Sequence, residues 1–390
     1  MSTFRCHACG GAAEALAAPA LQSLASSDCM PVKGDIRVGV CGNCGLLQKE
    51  TSPAWSALCS KIYDNYQIYH QAAGREQKAM GRATGEFKPR SDLIADFLKS
   101  SHQLPRSGSL LDIGCGNGPF LRSMSQSFPE WTLVGADIND TYRDQILSIS
   151  PLAAFKRTDE VARSGERYDL VALIHCIEHI PGPVQYLTEA KRYIKPGGWL
   201  LIQVPDAELN PFDLVVADHA SHFVKATIAA VVEAAGYELL SCGNHVVAKE
   251  ITLLARPLPE DVAHCVNSGR SDAAEMARRR LAWLEQTLQY GRRLASEARP
   301  LGIFGTSIAG VWIAAGIDNK FDFYVDEDRA RIGRDYFGVP ILAPADIPSG
   351  STIFVCLEPK LAADIAARYS GLGRHFVVPP PVTLMAPLKQ

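Results

Sequence analysis

The stretch Leu110-Leu-Asp-Ile-Gly-Cys-Gly-Asn-Gly118 constrains this chain more than any other. An apolar run that ends in three glycines, each separated by one residue, reads as a buried strand entering a tight turn. Its backbone can pass very close to a ligand, because a Cβ at those positions would collide with it. The spacing Gly114-x-Gly116-x-Gly118 is tighter than the dinucleotide pattern G-x-G-x-x-G, and Asp112 stands where a pyrophosphate would be repelled, so a phosphate ligand is disfavoured. Trp131 to Ala136 reads as a second buried strand that delivers Asp137, 19 residues past Gly118, where a carboxylate can accept two hydrogen bonds from ribose hydroxyls. Tyr168 to Ile174 then reads as a fourth strand, and Ile194-Lys-Pro-Gly-Gly-Trp-Leu-Leu-Ile-Gln-Val204 as a turn entering a fifth.

Taken in this order, the pieces resemble the motifs of class I S-adenosylmethionine-dependent methyltransferases. By that resemblance Asp112, Gly114, Cys115, Gly116, Asn117 and Gly118 face the amino-acid end of the sulfonium cofactor. Asp137 holds its ribose, and Ile138 and His175 complete the cofactor set.

Composition bounds the remaining classes. At 390 residues the chain is too long for one ordinary domain. A formal net charge of -3 provides no basic field for nucleic acid or an anionic membrane, which favours small-molecule chemistry. No apolar run approaches the roughly 20 residues of a membrane span, and Met1 to Gly11 lacks the basic start and apolar core of a signal peptide. A cytoplasmic enzyme without membrane insertion is expected, as a monomer or homodimer.

Cys6-His-Ala-Cys9 and Cys41-Gly-Asn-Cys44 are two C-x-x-C pairs, each followed by glycine, as metal-binding knuckles require. Four thiolates from two such turns can close a tetrahedral zinc site with no open position, so the metal is expected to be structural. A redox C-x-x-C would need only one pair and leaves the other unexplained. His7 and Cys29 are possible substitute ligands with poorer spacing, and Ile36 to Val40 is extended enough to pair as a strand. Zinc ribbons also bind nucleic acids, but Arg5, Lys33, Arg37 and Lys49 are balanced by Glu14, Asp28, Asp35 and Glu50.

Methyl transfer asks for alignment and, where the acceptor needs it, a base. The loop after the fourth strand carries His175-Cys-Ile-Glu178-His179, and the region after the fifth carries Asp218-His219-Ala-Ser-His222. His179 and His222 are the leading candidates, with His219 and Glu178 beside them. Ahead of the core, Tyr63, Tyr66, Tyr69 and His70 crowd together, as a packing segment or as a lid over the cofactor. From Asp92 the pairs Leu93/Ile94 and Phe97/Leu98 recur at helical spacing.

Ala274 to Leu294 reads as an amphipathic helix, with Arg278, Arg279 and Arg280 as a solvated face. Beyond Pro300 a second α/β unit begins, with strands at Leu301–Gly305, Phe321–Val325, Thr352–Leu357 and His375–Val378 and a helix at Ile308–Gly316. Thr306 and Ser307 at that helix amino terminus suit a phosphate; a dimerisation or covering role weighs as much. The expected fold class is α/β in three parts, a zinc ribbon (1–55), a methyltransferase Rossmann-like core with its leading lid (56–255) and a second Rossmann-like unit (300–390), the last two joined by a connecting helix (256–299).

This order resembles the sugar-nucleotide C-methyltransferases that act on 4-keto deoxysugars. By that resemblance His179 matches an active-site histidine, His222 the last histidine of a His-Glu-His motif, and Tyr66 or Tyr69 an amino-terminal tyrosine. Ala220 and Ser221 replace the other two motif positions, so the acceptor atom stays open between carbon and oxygen. A saccharide or nucleotide-sugar acceptor is expected, methylated on carbon by a histidine base, or on a saccharide hydroxyl. RNA methylation and a non-catalytic scaffold stand behind these.

Overall fold

The computed structural model describes residues 3–76, 78–82, 85–101, 104–259, 266 and 272–381. Its central sheet has seven strands: β1 (Gly108–Ile113), β2 (Trp131–Asp137), β3 (Ala153–Arg157), β4 (Tyr168–Ile174), β5 (Ile194–Pro205), β6 (Tyr237–Gly243) and β7 (Glu250–Pro257). They lie in the order β3-β2-β1-β4-β5-β7-β6. β1 to β5 run parallel, and β7 is antiparallel to both its neighbours.

The apolar runs of these strands follow from burial on both faces, which removes any need for polar alternation. Leu111, Val134, Val171 and Leu200 pack to one side with Leu187, Ile228 and Val231. Leu110, Leu133, Leu170 and Leu201 pack to the other with Ile94, Leu98, Phe120 and Met124. The leading helix spans Arg90–Ser100, and the helix after the glycine turn spans Pro119–Ser127. Strand order reverses at β1 and β4, the switch point at whose carboxyl ends open α/β sheets form their ligand crevice.

At the amino terminus, Thr3–Arg5, Ala12–Leu16, Val38–Cys41 and Leu47–Lys49 form an antiparallel sheet. Its edge is completed by Ser221–His222, with Ser221 opposite Gln48 and His222 opposite Leu47.

Toward the carboxyl terminus, Leu301–Phe304, Phe323–Val325, Val339–Leu342, Thr352–Phe354 and His375–Val377 form a parallel sheet, with Asp335–Tyr336 antiparallel at its edge. The Thr306 amide and hydroxyl both donate to Asp326 Oδ2, at 3.3 and 3.0 Å, and Arg331 Nη1 meets that same oxygen at 3.1 Å. Both Thr306 donors, expected to suit a phosphate, are therefore committed to the chain's own carboxylate.

The long helix Ala273–Glu297 packs Ala277, Leu281, Leu284 and Leu288 against both flanking units. Its arginine run is not uniformly solvated, which corrects the expectation from sequence. Arg280 falls on the same face as Ala277 and Leu284, is buried, and donates to the Glu208 carbonyl. Among the described residues no helix is long and apolar enough to cross a membrane.

Candidate active site

The glycine turn after β1 has left-handed backbone at all three positions, with φ of +78° at Gly114, +50° at Gly116 and +76° at Gly118. That requirement alone selects glycine. A Cβ on Gly116 would lie 2.6 Å from Ile68 Cδ1, and one on Gly118 would lie 2.4 Å from Ile146 Cδ1. The turn is thus covered by the chain's own side chains, and the crowded tyrosine segment supplies part of the cover. Ile68 N donates to the Tyr142 hydroxyl at 3.1 Å, and Asn117 Nδ2 donates to the Gly74 carbonyl at 2.7 Å.

Asp137 ends β2 and accepts from the Gly116 amide at 3.0 Å and the Ile138 amide at 2.7 Å. Asp112 is buried in β1, and burial together with the Asp137 charge pushes its carboxyl up to about 8. Cys115 is buried under the turn, whereas Ile138 is half exposed just beyond it.

A charged network missed at the sequence level borders this turn. Arg90 Nε meets Glu250 Oε1 at 2.8 Å, His175 Nε2 meets Glu250 Oε2 at 3.0 Å, and Gln203 Nε2 donates to that oxygen at 2.6 Å. Burial opposes the Glu250 charge, but Arg90 and His175 outweigh it and hold the carboxyl down at about 2. His175 is opposed by burial and Arg90, yet Glu250 and Glu178 raise it to about 9. Tyr69 joins this side through Arg90 Nη1, 3.4 Å from its hydroxyl, and burial lifts its phenol to about 12.

The second half of the crevice gathers the remaining candidates. His179 Nδ1 lies 3.1 Å from the Tyr63 hydroxyl, 3.1 Å from the Asp218 carbonyl and 3.4 Å from Asp218 Oδ2. Burial works against its charge, but Asp218 and Glu178 raise its pKa. The His179 and His219 rings stand edge to face, 4.6 Å between centroids.

Asp213 Oδ1 lies 2.7 Å from His219 Nδ1, and its Oδ2 lies 2.7 Å from His222 Nδ1. A carboxylate only accepts, so both rings carry their proton on Nδ1 and each neutral ring keeps its lone pair on Nε2. The His222 side chain is fully buried and lies beneath this pair, lowered to about 4 by burial against the pull of Asp213. Glu178 is 1% exposed, with Oε1 3.2 Å from His175 Nδ1.

Tyr66 enters through Ser27, whose Oγ lies 3.2 Å from the Tyr66 hydroxyl and donates to Asp218 Oδ2 at 2.5 Å. Asp213, Ser27 and Tyr63 are therefore partners that sequence reasoning missed. Only the tyrosine crowding hinted at one of them.

The four cysteines converge. Cys6 and Cys44 sulfurs are 3.7 Å apart, Cys9 and Cys41 sulfurs 3.4 Å apart, and all four lie within 4.8 Å of one another. A tetrahedron with Zn–S bonds of roughly 2.3 Å has edges of about 3.8 Å, so the donor set fits that ion. Gly10 and Gly45 close the knuckles with φ of +74° and +71°. His7 lies outside the cluster, its Nε2 2.9 Å from Ser221 Oγ, and Cys29 is not part of it.

Residues 86–242 match the family described as a methyltransferase domain. A ubiquinone biosynthesis O-methyltransferase of Cereibacter sphaeroides is 32% identical over 152 residues, covering 34% of this chain and 61% of that protein. One from Saccharophagus degradans is 29% identical over 125 residues, covering 29% of this chain and 51% of that protein. The chain thus spans between half and two thirds of the length of these relatives. A solved O-methyltransferase family protein from Burkholderia thailandensis is 18% identical with a TM-score of 0.38, covering 54% of this chain and 74% of that one, a likeness too partial to carry an argument. The match, the strand order and the glycine turn agree on one statement: residues 86–242 of this chain carry a methyltransferase domain.

Proposed function

We propose that the protein transfers a methyl group from S-adenosylmethionine to a saccharide or nucleotide-sugar acceptor, on the carbon next to a ketone. The observation that carries this reading is the pair His179 and His219, edge to face at 4.6 Å, with their Nδ1 atoms held by different carboxylates. One ring, its pKa raised by Asp218, is suited to be a donor. The other, with its Nδ1 proton committed to Asp213, offers a lone pair on Nε2. Enolisation needs both functions, a base for the proton and a donor for the oxygen that gains charge.

Asp112, Gly114, Cys115, Gly116, Asn117, Gly118, Asp137, Ile138 and His175 would hold the cofactor, which when bound supplies an electrophilic methyl group on a sulfonium. The acceptor proton passes to His219, and His179 donates to the ketone oxygen as the carbon becomes nucleophilic. Tyr63 and Asp218 fix the His179 ring. Tyr66 reaches this cluster through Ser27, and Glu178 sits beneath it as a buried counter-charge. His222 supports His219 through their shared carboxylate. We further infer a structural zinc ion on Cys6, Cys9, Cys41 and Cys44, whose convergence supports that reading.

A second reading, methylation of a saccharide hydroxyl, draws on the names of the relatives above, which are O-methyltransferases. There the same base takes a hydroxyl proton. Incubating the protein in heavy water with candidate 4-keto sugar nucleotides and no methyl donor separates the two. Exchange of the proton next to the ketone is expected for carbon transfer; no exchange, followed by methylation of the same acceptor once the donor is added, establishes the hydroxyl reading and removes the other.

A further inference from the structure

Lys49 ends the strand Leu47–Lys49, and its side chain is fully buried. An ammonium in such a place is costly unless carboxylates compensate it. The backbone amide of Lys49 donates to the Ala220 carbonyl at 2.9 Å, and its Nζ donates to the Val216 carbonyl. Both acceptors belong to the loop that carries Asp218 and His219 and leads into the strand of His222. Gln48 and Leu47 pair with Ser221 and His222 on the same edge.

The groups that face this ammonium are Asp213, Asp218, His222 and, from the helix Pro53–Asp64, the Cys59 thiol. Burial lowers Lys49 to about 8, against the pull of the two carboxylates, and raises Cys59 to about 12. Around the site the cations Lys49, Arg90, His175 and His179 thus stand against the anions Asp213, Asp218, Glu178 and Glu250, four against four. Two of the cations are imidazoles whose protons depend on that balance. Lys49 is the member of the set supplied by the amino-terminal sheet.

We propose that Lys49 is a positioning residue for the acceptor-side histidines: a buried cation, fastened to the backbone of residues 216–220, that holds the loop in place and offsets the charges of Asp213 and Asp218 beside the imidazoles that Asp213 orients. The proposal rests on the reading of His219 as base for its catalytic consequence, but not for its electrostatic one. Without the cation the cluster carries one surplus buried negative charge. The readiest relief is a proton on an imidazole that shares Asp213, and a protonated His219 takes no proton from a substrate.

The test uses the full-length protein. Histidine ring resonances are followed by NMR across pH, without substrate, in wild type and in Lys49→Met. The His222 ring, lowered to about 4 in the intact protein, is expected to titrate at least one pH unit higher in the variant. Unchanged titration overturns the proposal. If Lys49→Met does not fold, Lys49→Arg keeps the charge, and its His222 ring must still titrate well below neutrality; a rise there also overturns it.

In the heavy-water exchange assay, the acid limb of the Lys49→Met profile should move to higher pH, giving about a tenfold loss at pH 7 that is regained in alkali. An equal loss at every pH assigns Lys49 a merely structural part and overturns the proposal. If no acceptor exchanges with either protein, the carbon-transfer reading fails, while the ring titration still decides the place of Lys49.

Discussion

Replacing Asp213 by Asn removes the one carboxylate that two imidazoles share. Each oxygen of Asp213 now accepts an Nδ1–H at 2.7 Å, whereas the amide has one acceptor and one donor. Only one of His219 and His222 can keep its proton on Nδ1; the other must carry it on Nε2. A hydrogen bond to a charged partner contributes about 1.5–3 kcal/mol. If His219 yields, the base loses its lone pair on Nε2, and the rate should fall roughly 10- to 150-fold for that range. If His222 yields, an N–H replaces a lone pair at a buried Nε2 that has no hydrogen-bond partner among the described residues, costing about 1–3 kcal/mol of stability.

The assay is proton exchange next to the ketone of a sugar-nucleotide acceptor, read by mass spectrometry, alongside thermal unfolding and calorimetry with the demethylated cofactor. Cofactor affinity should hold within about twofold, since Asp213 lies on the acceptor side. Burial opposes ionisation of Asp213, but His222 and His219 outweigh it and hold its carboxyl below the usual range. A depressed folded-state pKa gives stability that is present at neutral pH and lost as pH falls below the ordinary carboxylate range. Asp213→Asn should therefore lose less stability on acidification than wild type. Wild-type exchange together with wild-type stability in this variant refutes the shared-carboxylate reasoning.

Gly116→Ala places a Cβ 2.6 Å from Ile68 Cδ1 at a left-handed position, and should cost about 1–3 kcal/mol in thermal unfolding while weakening the cofactor-induced shift; an unchanged melting temperature contradicts this. Asp137→Ala removes the acceptor of the Gly116 and Ile138 amides, and should lower cofactor affinity at least about tenfold by calorimetry with metal content unaltered; normal affinity removes its assignment to the ribose. Chelation of the four-cysteine site should raise hydrogen exchange in residues 216–222, because Cys44 lies just upstream of the strand that pairs with them, and unchanged protection denies that coupling.

What the sequence revealed was local in the chain. The glycine turn, Asp112 and Asp137 sit at strand ends, so the apolar runs before them announced both the element and the place of the functional group. The helix after Ser307 was legible for the same reason, and it spans Ile308–Gly316. Arg280 was misplaced because its two neighbouring arginines masked the helical period that puts it inward. Ser27 with Asp218, and Arg90 with Glu250, are pairs 191 and 160 residues apart, and no spacing rule reaches that far. Lys49 enters the sequence reading only in the ribbon's charge balance, since nothing local in a polar segment announces the later strand that closes over it.

The strand Ser221–His222 is short, yet it is the last piece of a sheet whose other four strands all precede residue 50. During synthesis the border of Leu47–Lys49 must wait, unpaired, through most of the methyltransferase domain. Such an open border invites pairing with another chain. The same two residues that hold a buried histidine against Asp213 also seal the amino-terminal sheet against association, so a lesion there should reduce soluble yield before it reduces turnover.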